Sequence, residues 1–453
     1  MTRPQNLPVA LVLPMMLVGG IGVAADEGPT DPPGSLARYL ATFELDAASR
    51  EEGDAGWNDA RRNLALRLLS RLAKAPRDRW DAWVGDAGEP AEAVPAPDRL
   101  VRVAGRAVFA GTIELPPHER ELHARREVGL VRLVGEDGIV VDILTDHVPI
   151  SWPRWREIDE PSAVVGLVIG RGSGPQPTTE GGAWPKEPAD LVLAARRVAW
   201  YPATPLGSLG MDYGLFDTVV DGRRLVPGDT DAFYAMLAAA GRGTQQGIEE
   251  AAGRSTDIIP LIDPKAGWFE AHRGDAVVIR GVARRAIRIA IDDEFRRRAA
   301  GTDHYWELYV FSPTPGPVKI RERVQDNYPI VCCVRRLPEG MPRGASIGEE
   351  VEVAGFALKR YRYPTSEPGG DGSVDQESPL VIGKRAVWFP SPSSEPTSTS
   401  LGWIFGAVLG LTTLILAVGS WVFLRDSARR DRARREQFPD EVGLPEPPDD
   451  GSG

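Results

Sequence analysis

Residues 101–105 read VRVAG and residues 277–281 read VVIRG, and these related apolar stretches decide how the rest of the chain is interpreted. Two further pairs follow in the same order: VVGLVI at 164–169 with VAGFAL at 353–358, and LVL at 191–193 with LVI at 380–382. The third pair continues into matching arginines and tryptophans, Arg197 and Trp200 in the first copy, Arg385 and Trp388 in the second. Three matches in one order favour an internal duplication.

Each copy is predicted to form five β-strands, because apolar or alternating runs are separated by proline, glycine and acidic turns. In the first copy the runs cover 100–114, 128–134, 138–145, 163–170 and 190–200. In the second copy they cover 276–291, 304–311, 329–336, 350–361 and 379–389. Five short strands, the first one long and broken by glycine or small residues, are typical of an OB-like barrel. A five-stranded sandwich fragment is the alternative.

Helical segments precede both β-modules. Residues 58–75 carry leucines in an amphipathic pattern. Asp229 or Thr230 is predicted to cap a helix over 231–240, and a further short helix is predicted over 244–252. The predicted fold class is therefore mainly β with helical spacers (α+β): two tandem five-stranded OB-like small barrels and one C-terminal transmembrane helix.

Two apolar segments predict export and membrane anchoring. Arg3, an apolar run and small residues before Asp26 predict a signal peptide over 1–25, with an uncleaved anchor as the alternative. Residues 401–424 carry no charged side chain. At ~1.5 Å per residue they reach about 36 Å, which is enough to cross a ~30 Å hydrocarbon core.

The flanks of this helix predict its orientation and packing. Arginines follow it directly, at Arg425, Arg429, Arg430, Arg432, Arg434 and Arg435, so the positive-inside rule places the C-terminus in the cytoplasm. Small residues at Gly402, Gly406 and Gly410 line one face and allow close helix approach, which predicts homodimerisation through the membrane helix. The predicted location is the bacterial cytoplasmic membrane, with the N-terminal bulk extracytoplasmic.

The predicted domains follow from these elements. They are a signal peptide (1–25), an N-terminal helical segment (26–99), the first barrel (100–202), a helical spacer (203–274), the second barrel (275–390), a Pro/Ser-rich stalk (391–400), the transmembrane helix (401–424), and a basic juxtamembrane and disordered acidic tail (425–453). This architecture resembles uncharacterised exported single-pass membrane proteins of high-GC bacteria with duplicated OB-like modules. The resemblance rests on architecture alone and implies no functional residue.

Charge gives the partner prediction. The chain has 453 residues and a formal net charge of -11. An acidic protein offers phosphate backbones little attraction, so nucleic acid is predicted not to be a partner. The predicted partner is an envelope protein, a peptide or a glycan.

No catalytic, metal or cofactor site is predicted. Residues 344–348 read GASIG and fit a nucleophile elbow, but a strand follows them and the last histidine, His304, lies upstream. The histidines lack metal-ligand spacing. Asp217 and Asp221 are interpreted as parts of solvated turns. The predicted function is therefore a membrane-anchored extracytoplasmic binding or assembly protein without catalytic activity; an exported hydrolase with a site assembled only in the fold is the alternative.

Two residue pairs remain as candidate surfaces. Trp152 and Trp155 flank Pro153 in a predicted loop, and we expect them to form an exposed contact surface. Cys332 and Cys333 are adjacent in an apolar strand, so one thiol is predicted to be buried and the other to face outward. A reactive thiol or an intermolecular bridge is the alternative for this pair.

Overall fold

Two five-stranded β-barrels with accompanying helices account for most of the described residues. The computed structural model describes residues 35–45, 57–89, 99–172, 174, 178–179, 182–320, 323–366 and 373–390. The predicted signal peptide, stalk, transmembrane helix and tail lie outside these ranges, and with them Gly402, Gly406, Gly410, Arg425, Arg429, Arg430, Arg432, Arg434 and Arg435. Across the described ranges, no helix combines the length and apolarity needed to span a bilayer.

The first barrel closes through five strands. Its five strands are β1 (Leu100–Glu114), β2 (Glu127–Gly135), β3 (Val140–Thr145), β4 (Arg156–Arg171) and β7 (Leu191–Ala195). The short strand β8 (Val198–Trp200) extends the sheet, and β5 (Thr178–Thr179) and β6 (Gly182–Ala183) form a separate two-stranded sheet. The pairing runs β1–β2–β3–β7–β4 and returns from β4 to β1, while β8 pairs only with β4. Within the ring β3 and β7 run parallel and the other pairs run antiparallel.

The second barrel repeats this connectivity. Its strands are β9 (Ala276–Ala290), β10 (His304–Ile320), β11 (Arg323–Arg336), β12 (Glu349–Ser366) and β13 (Ser373–Phe389). They close in the order β10–β11–β13–β12–β9, and β11 and β13 run parallel. In both rings the third strand therefore pairs in parallel with the fifth, which is the connectivity of an OB-like barrel. The prediction of two five-stranded modules in a mainly β, α+β chain is confirmed.

Strands of the second barrel extend further than the sequence pattern predicted. β10 continues to Ile320, nine residues beyond the predicted end at Phe311, and it still pairs with β11 through Val318 and Gln325. The added stretch contains Pro313, Pro315 and Pro317, and the pairing register shifts between Pro313 and Val318. Apolar alternation fades in this part of the hairpin, so the sequence gives no strand pattern there.

Helices pack against both barrels. They are α1 (Leu36–Ala41), α2 (Asp59–Lys74), α3 (Arg77–Gly85), α4 (Pro117–His123), α5 (Pro205–Ser208), a 3₁₀ helix (Tyr213–Thr218), α6 (Pro227–Arg242), α7 (Gln245–Ala252), α8 (Ile259–Ile262), α9 (Trp268–His272) and α10 (Glu294–Ala300). On the first barrel Leu69 of α2 is buried in one apolar cluster with Leu130 of β2. On the second barrel Met236 of α6 is buried with Phe356 of β12. Each module is thus a 16-residue helix laid on a barrel.

Helix α6 begins earlier than predicted. It starts at Pro227, and Asp229 lies in its first turn, where the carboxylate accepts a hydrogen bond from the Val226 N–H at 3.1 Å. The same carboxylate lies 2.6 Å from Lys359 Nζ on β12, and both side chains are fully buried. Because both charges are removed from water, each requires the other, and the pair fixes the start of α6 on the second barrel.

A tryptophan–glutamate hydrogen bond is duplicated with the barrels. Trp200 Nε1 donates to Glu160 at 2.7 Å, and Trp388 Nε1 donates to Glu349 at 2.7 Å. The tryptophans lie on β8 and β13, and the glutamates lie on β4 and β12, the fourth strands of the two barrels. This equivalence supports the duplication inferred from the sequence.

The structural match between the fifth strands of the two barrels is shifted by one residue from their match in the sequence. Leu193 lies in the interior cluster of the first barrel and Val381 in that of the second, whereas Leu193 was aligned with Ile382. Ile382 lies on the outer face, as does Ala194. Consecutive strand residues alternate between faces, so a one-residue shift is needed to match interior with interior.

Candidate anion-binding groove

Two arginines stand opposite each other where β11 and β13 leave the second barrel. Arg336 and Arg385 are register partners in the parallel pairing, and both are exposed. Within the described residues neither guanidinium takes part in an ion pair. Like charges directly opposite on neighbouring strands destabilise a sheet, by up to about 1 kcal/mol. The pair is therefore unfavourable unless an anion lies against it.

A cavity adjoins these two arginines. It has a volume of about 390 Å³ and is lined by Gln245 of α7, the loop 336–339 and residues 384–386. We call this cavity the second-barrel groove. Its charged lining comprises Arg336, Lys384 and Arg385 against one carboxylate, that of Glu339. The groove is therefore locally basic in a chain whose net charge is -11.

The positive charges of the groove differ in how they are held. Lys384 Nζ donates to the Gly241 carbonyl at 3.2 Å and also to the Gly243 carbonyl, so it neutralises the C-terminal end of α6. Arg335, next in the chain to Arg336, donates to the carbonyls of Leu237 and Gly301. Burial lowers the pKa of Arg335, and the neighbouring guanidinium of Arg336 lowers it further.

A buried acceptor also lines the groove. Gln245 Nε2 donates to Glu249 at 2.8 Å, which fixes the amide, while Oε1 is buried and accepts no hydrogen bond from the described residues. A buried polar atom without a partner costs about 1–3 kcal/mol.

The first barrel has an equivalent groove. Ile143 on the third strand of the first barrel pairs with Leu193, and Cys332 on the third strand of the second barrel pairs with Val381. Because Leu193 and Val381 are equivalent, Ile143 and Cys332 are equivalent too. Four residues after them in the chain, His147 therefore corresponds to Arg336. The sequences that follow also match, VPI at 148–150 and LPE at 337–339. We call the site formed by 147–150 and Arg197 the first-barrel groove.

The first-barrel groove is filled by the chain itself. Asp212 forms an ion pair with Arg197, the counterpart of Arg385. The Asp212 carboxylate also accepts hydrogen bonds from the Trp200 N–H at 3.0 Å and from the Gly214 N–H at 2.9 Å. Only 14% of the Asp212 side chain is exposed, so this carboxylate is a partly buried counter-ion.

A second carboxylate fills the other end of the same groove. Asp217 lies 2.9 Å from His147 Nε2 and accepts a hydrogen bond from the Ile150 N–H at 2.9 Å. Between the two carboxylates, a Cβ on Gly214 would lie 3.7 Å from both the Arg197 guanidinium and the His147 ring. The prediction that Asp217 belongs to a solvated turn is wrong, because the 3₁₀ helix places it against the first barrel.

Aromatic packing completes this contact. The ring of Tyr213 lies 5.6 Å from that of Trp200 in an edge-to-face arrangement, and 5.0 Å from that of Phe216. Such pairs contribute about 0.5–1.5 kcal/mol beyond the area they bury. The segment 212–217 is therefore held by two carboxylates and one aromatic side chain.

The structure corrects the predicted contact surface. Trp152 is only 3% exposed and lies in the interior cluster of the first barrel, so it cannot form an exposed surface. Trp155 is half-buried, with a left-handed φ of 61°, and its ring lies against Gly111 of β1. The loop turns both rings inward because each buries a large apolar area against the barrel.

The cysteines are also more buried than predicted. Cys332 lies in the barrel interior and Cys333 on the outer face, as alternation requires, but α6 covers that face and neither thiol is exposed. Burial raises the pKa of both thiols. A reactive cysteine needs an accessible thiolate, so neither residue has the environment of a redox centre.

Sequence reasoning noted Arg197 and Arg385 as matching positions but missed their role. Arg336 was missed as well, because its functional setting depends on a cross-strand neighbour 49 residues away in the chain. The available signal was the repeated pattern VPI and LPE that follows each third strand. The described residues contain no cluster of three or more histidine, cysteine or acidic side chains suited to a metal.

Comparisons with known proteins give distant structural neighbours only. No protein-family model matches the chain, and no curated protein matches it. The chain is similar to the single-stranded DNA-binding protein from Thermus aquaticus, in a deletion mutant at 11% identity and in the wild type at 10%. Each match covers 66% of this chain and 97% of the other, with a TM-score of 0.15.

The partner prediction needs correction. It excluded nucleic acid on net charge and named an envelope protein, a peptide or a glycan instead, but that exclusion does not hold because the lining of the second-barrel groove is locally basic; the structural neighbours are single-stranded DNA-binding proteins. Net charge is a poor guide here because basic side chains cluster locally at the second-barrel groove. At a TM-score of 0.15 the likeness assigns no ligand to this chain.

Proposed function

We propose that this chain is a non-catalytic binding or assembly protein, anchored in the membrane with its barrels outside the cytoplasm, and that the second-barrel groove binds an anionic group. The carrying observation is that Arg336 and Arg385 oppose each other beside a cavity of about 390 Å³. Two guanidinium groups that converge on a cavity suit a carboxylate or a phosphate, which accept bidentate hydrogen bonds.

The duplication supports a binding role. In the first barrel the equivalent arginine already holds a carboxylate, that of Asp212. His147 and Asp217 resemble an acid–base pair in that groove, but their contact holds the chain's own segment 212–217 in place. Membrane anchoring rests on the uncharged residues 401–424 and the arginines that follow them.

Small anions test the proposal directly. Inorganic phosphate and succinate are titrated into the full-length chain, and binding is followed by isothermal calorimetry at low salt. We expect weak binding, in the millimolar range, that falls as salt rises because the site is exposed. Arg336→Gln and Arg385→Gln should each weaken it about tenfold or more.

A matched variant controls for net charge. Arg254→Gln removes one positive charge from an exposed residue beyond the far end of α7, about 12 Å of helix away from Gln245. It should leave anion binding unchanged. Equal losses in all three variants would mean a diffuse charge effect and would contradict a built groove.

A further inference from the structure

The occupant of the first-barrel groove shows what chemistry the second-barrel groove is shaped to accept. In the first barrel a short acidic segment, 212–217, places its two terminal carboxylates at opposite ends of the groove. In the second barrel the corresponding space is a cavity among the described residues. Because the two grooves occupy equivalent positions in the duplicated barrels, we expect their ligands to share a geometry.

We propose that the second-barrel groove binds an acidic polypeptide segment of a partner protein, with two carboxylates five positions apart and an aromatic residue next to the first. This inference rests on the proposed function and specifies its ligand. The model for the ligand is the chain's own stretch DYGLFD at 212–217.

The first carboxylate of the ligand has a matching site. In the first barrel Asp212 contacts Arg197 and the Trp200 backbone N–H. Arg385 and Trp388 occupy the equivalent positions of the second barrel. Arg385 is exposed, and within the described residues it has no ion-pair partner, so its guanidinium is available to a ligand carboxylate.

The second carboxylate of the ligand also has a matching site. Asp217 contacts His147 and the Ile150 N–H in the first barrel. In the second barrel Arg336 replaces the histidine, and Glu339 supplies the equivalent backbone position. The arginine guanidinium is always charged in proteins, so binding at the second-barrel groove is expected to persist at pH 8.

One detail favours a polypeptide over a bare anion. Trp388 is half-buried at the position where Trp200 packs against Tyr213 in the first barrel. An aromatic side chain beside the first carboxylate would pack against it.

A labelled peptide tests the inference with the full-length chain. The probe is a fluorescent peptide that reads MDYGLFDT, the sequence of 211–218, and binding is measured by fluorescence anisotropy at pH 8. We expect it to bind at least tenfold more tightly than succinate. Arg336→Gln and Arg385→Gln should each weaken it about tenfold, and Arg254→Gln should not.

Changes in the peptide keep the protein constant and separate specific from general effects. Replacing either aspartate of the peptide by asparagine should weaken binding about tenfold, which corresponds to about 1.4 kcal/mol. A peptide of the same composition with both aspartates adjacent should bind no better than succinate. Equal binding of that scrambled peptide would overturn the proposed spacing.

The remaining outcomes distinguish this inference from the proposed function. Phosphate binding that depends on Arg336 and Arg385, without preferential peptide binding, would overturn the acidic segment and leave the anion groove. Tighter arginine-dependent binding of a labelled oligothymidine would identify the ligand as single-stranded nucleic acid and would also overturn it. Absence of any arginine-dependent binding would overturn both proposals.

Discussion

The duplicated arginines should respond oppositely to the same substitution. Arg197→Gln removes the ion-pair partner of Asp212, whose side chain is 14% exposed. A hydrogen bond to a charged group contributes about 1.5–3 kcal/mol, and the third of the Arg197 side chain that is exposed reduces this to about 1–2 kcal/mol. Arg385→Gln removes a charge that opposes Arg336, so it should leave stability unchanged or raise it by up to about 1 kcal/mol.

Native-state hydrogen exchange locates the effect. The Gly214 and Ile150 N–H groups donate to the two carboxylates of the segment 212–217, so their protection reports how firmly that segment is held. In Arg197→Gln we expect exchange of these amides to accelerate about 5- to 30-fold, as a loss of 1–2 kcal/mol requires. In Arg385→Gln their exchange should not change.

Urea unfolding of the full-length chain supplies the global comparison. The midpoint of the urea transition should shift to lower urea in Arg197→Gln and remain in place in Arg385→Gln. Equal loss of protection in both variants would contradict this prediction, because the two arginines would then have the same environment. Unchanged exchange at Gly214 in Arg197→Gln would also contradict it, since Asp212 would then need no cation.

Three further predictions concern buried groups. Lys359→Met and Asp229→Asn should each destabilise the second barrel by about 3–5 kcal/mol, because each leaves the other charge buried without a partner. In a double-mutant cycle measured by urea unfolding, the double variant should lose clearly less than the sum of the two single losses, and additive losses would contradict the pairing. Cys332 and Cys333 should react with a thiol reagent at pH 8 only after unfolding, because burial raises the pKa of both, and rapid labelling of the native chain would contradict this. Burial also raises the pKa of Glu307 above its ordinary value of 4.5, so the folded state holds the proton more tightly and loses stability as pH rises through the folded pKa. Glu307→Gln should therefore raise the urea midpoint at pH 8 and have little effect at pH 4, and an equal effect at both would contradict the assignment.

The barrel strands were predictable because their cores impose a strict alternation. Val101 and Val103 lie in the interior cluster of the first barrel, as Val277 and Ile279 do in the second, and each pair was already matched in the sequence. The end of β10 was not predictable, since beyond Phe311 the hairpin has no apolar period to detect. Pattern thus predicts strands where one face is buried and misses them elsewhere.

The candidate groove was not predictable from local pattern. Asp212 and Asp217 fit a turn equally well in the sequence, and only the placement of the 3₁₀ helix against the first barrel reveals their role. Trp152 failed for the related reason that a proline-flanked loop can turn its side chains inward as readily as outward. Contacts of this kind join segments that are distant in the chain, and neither segment's sequence indicates the other as its partner.

The two grooves differ in the source of their counter-charge, and this difference argues that the second one has a ligand. The chain contains 64 acidic residues, and one of them, Asp212, neutralises Arg197 in the first barrel. Among the described residues no carboxylate does the same for Arg385, although its cross-strand neighbour Arg336 makes that position costly. An internal carboxylate at this position would remove the cost and close the groove. Retention of both uncompensated arginines beside an open cavity is the arrangement expected when the counter-charge arrives with a partner.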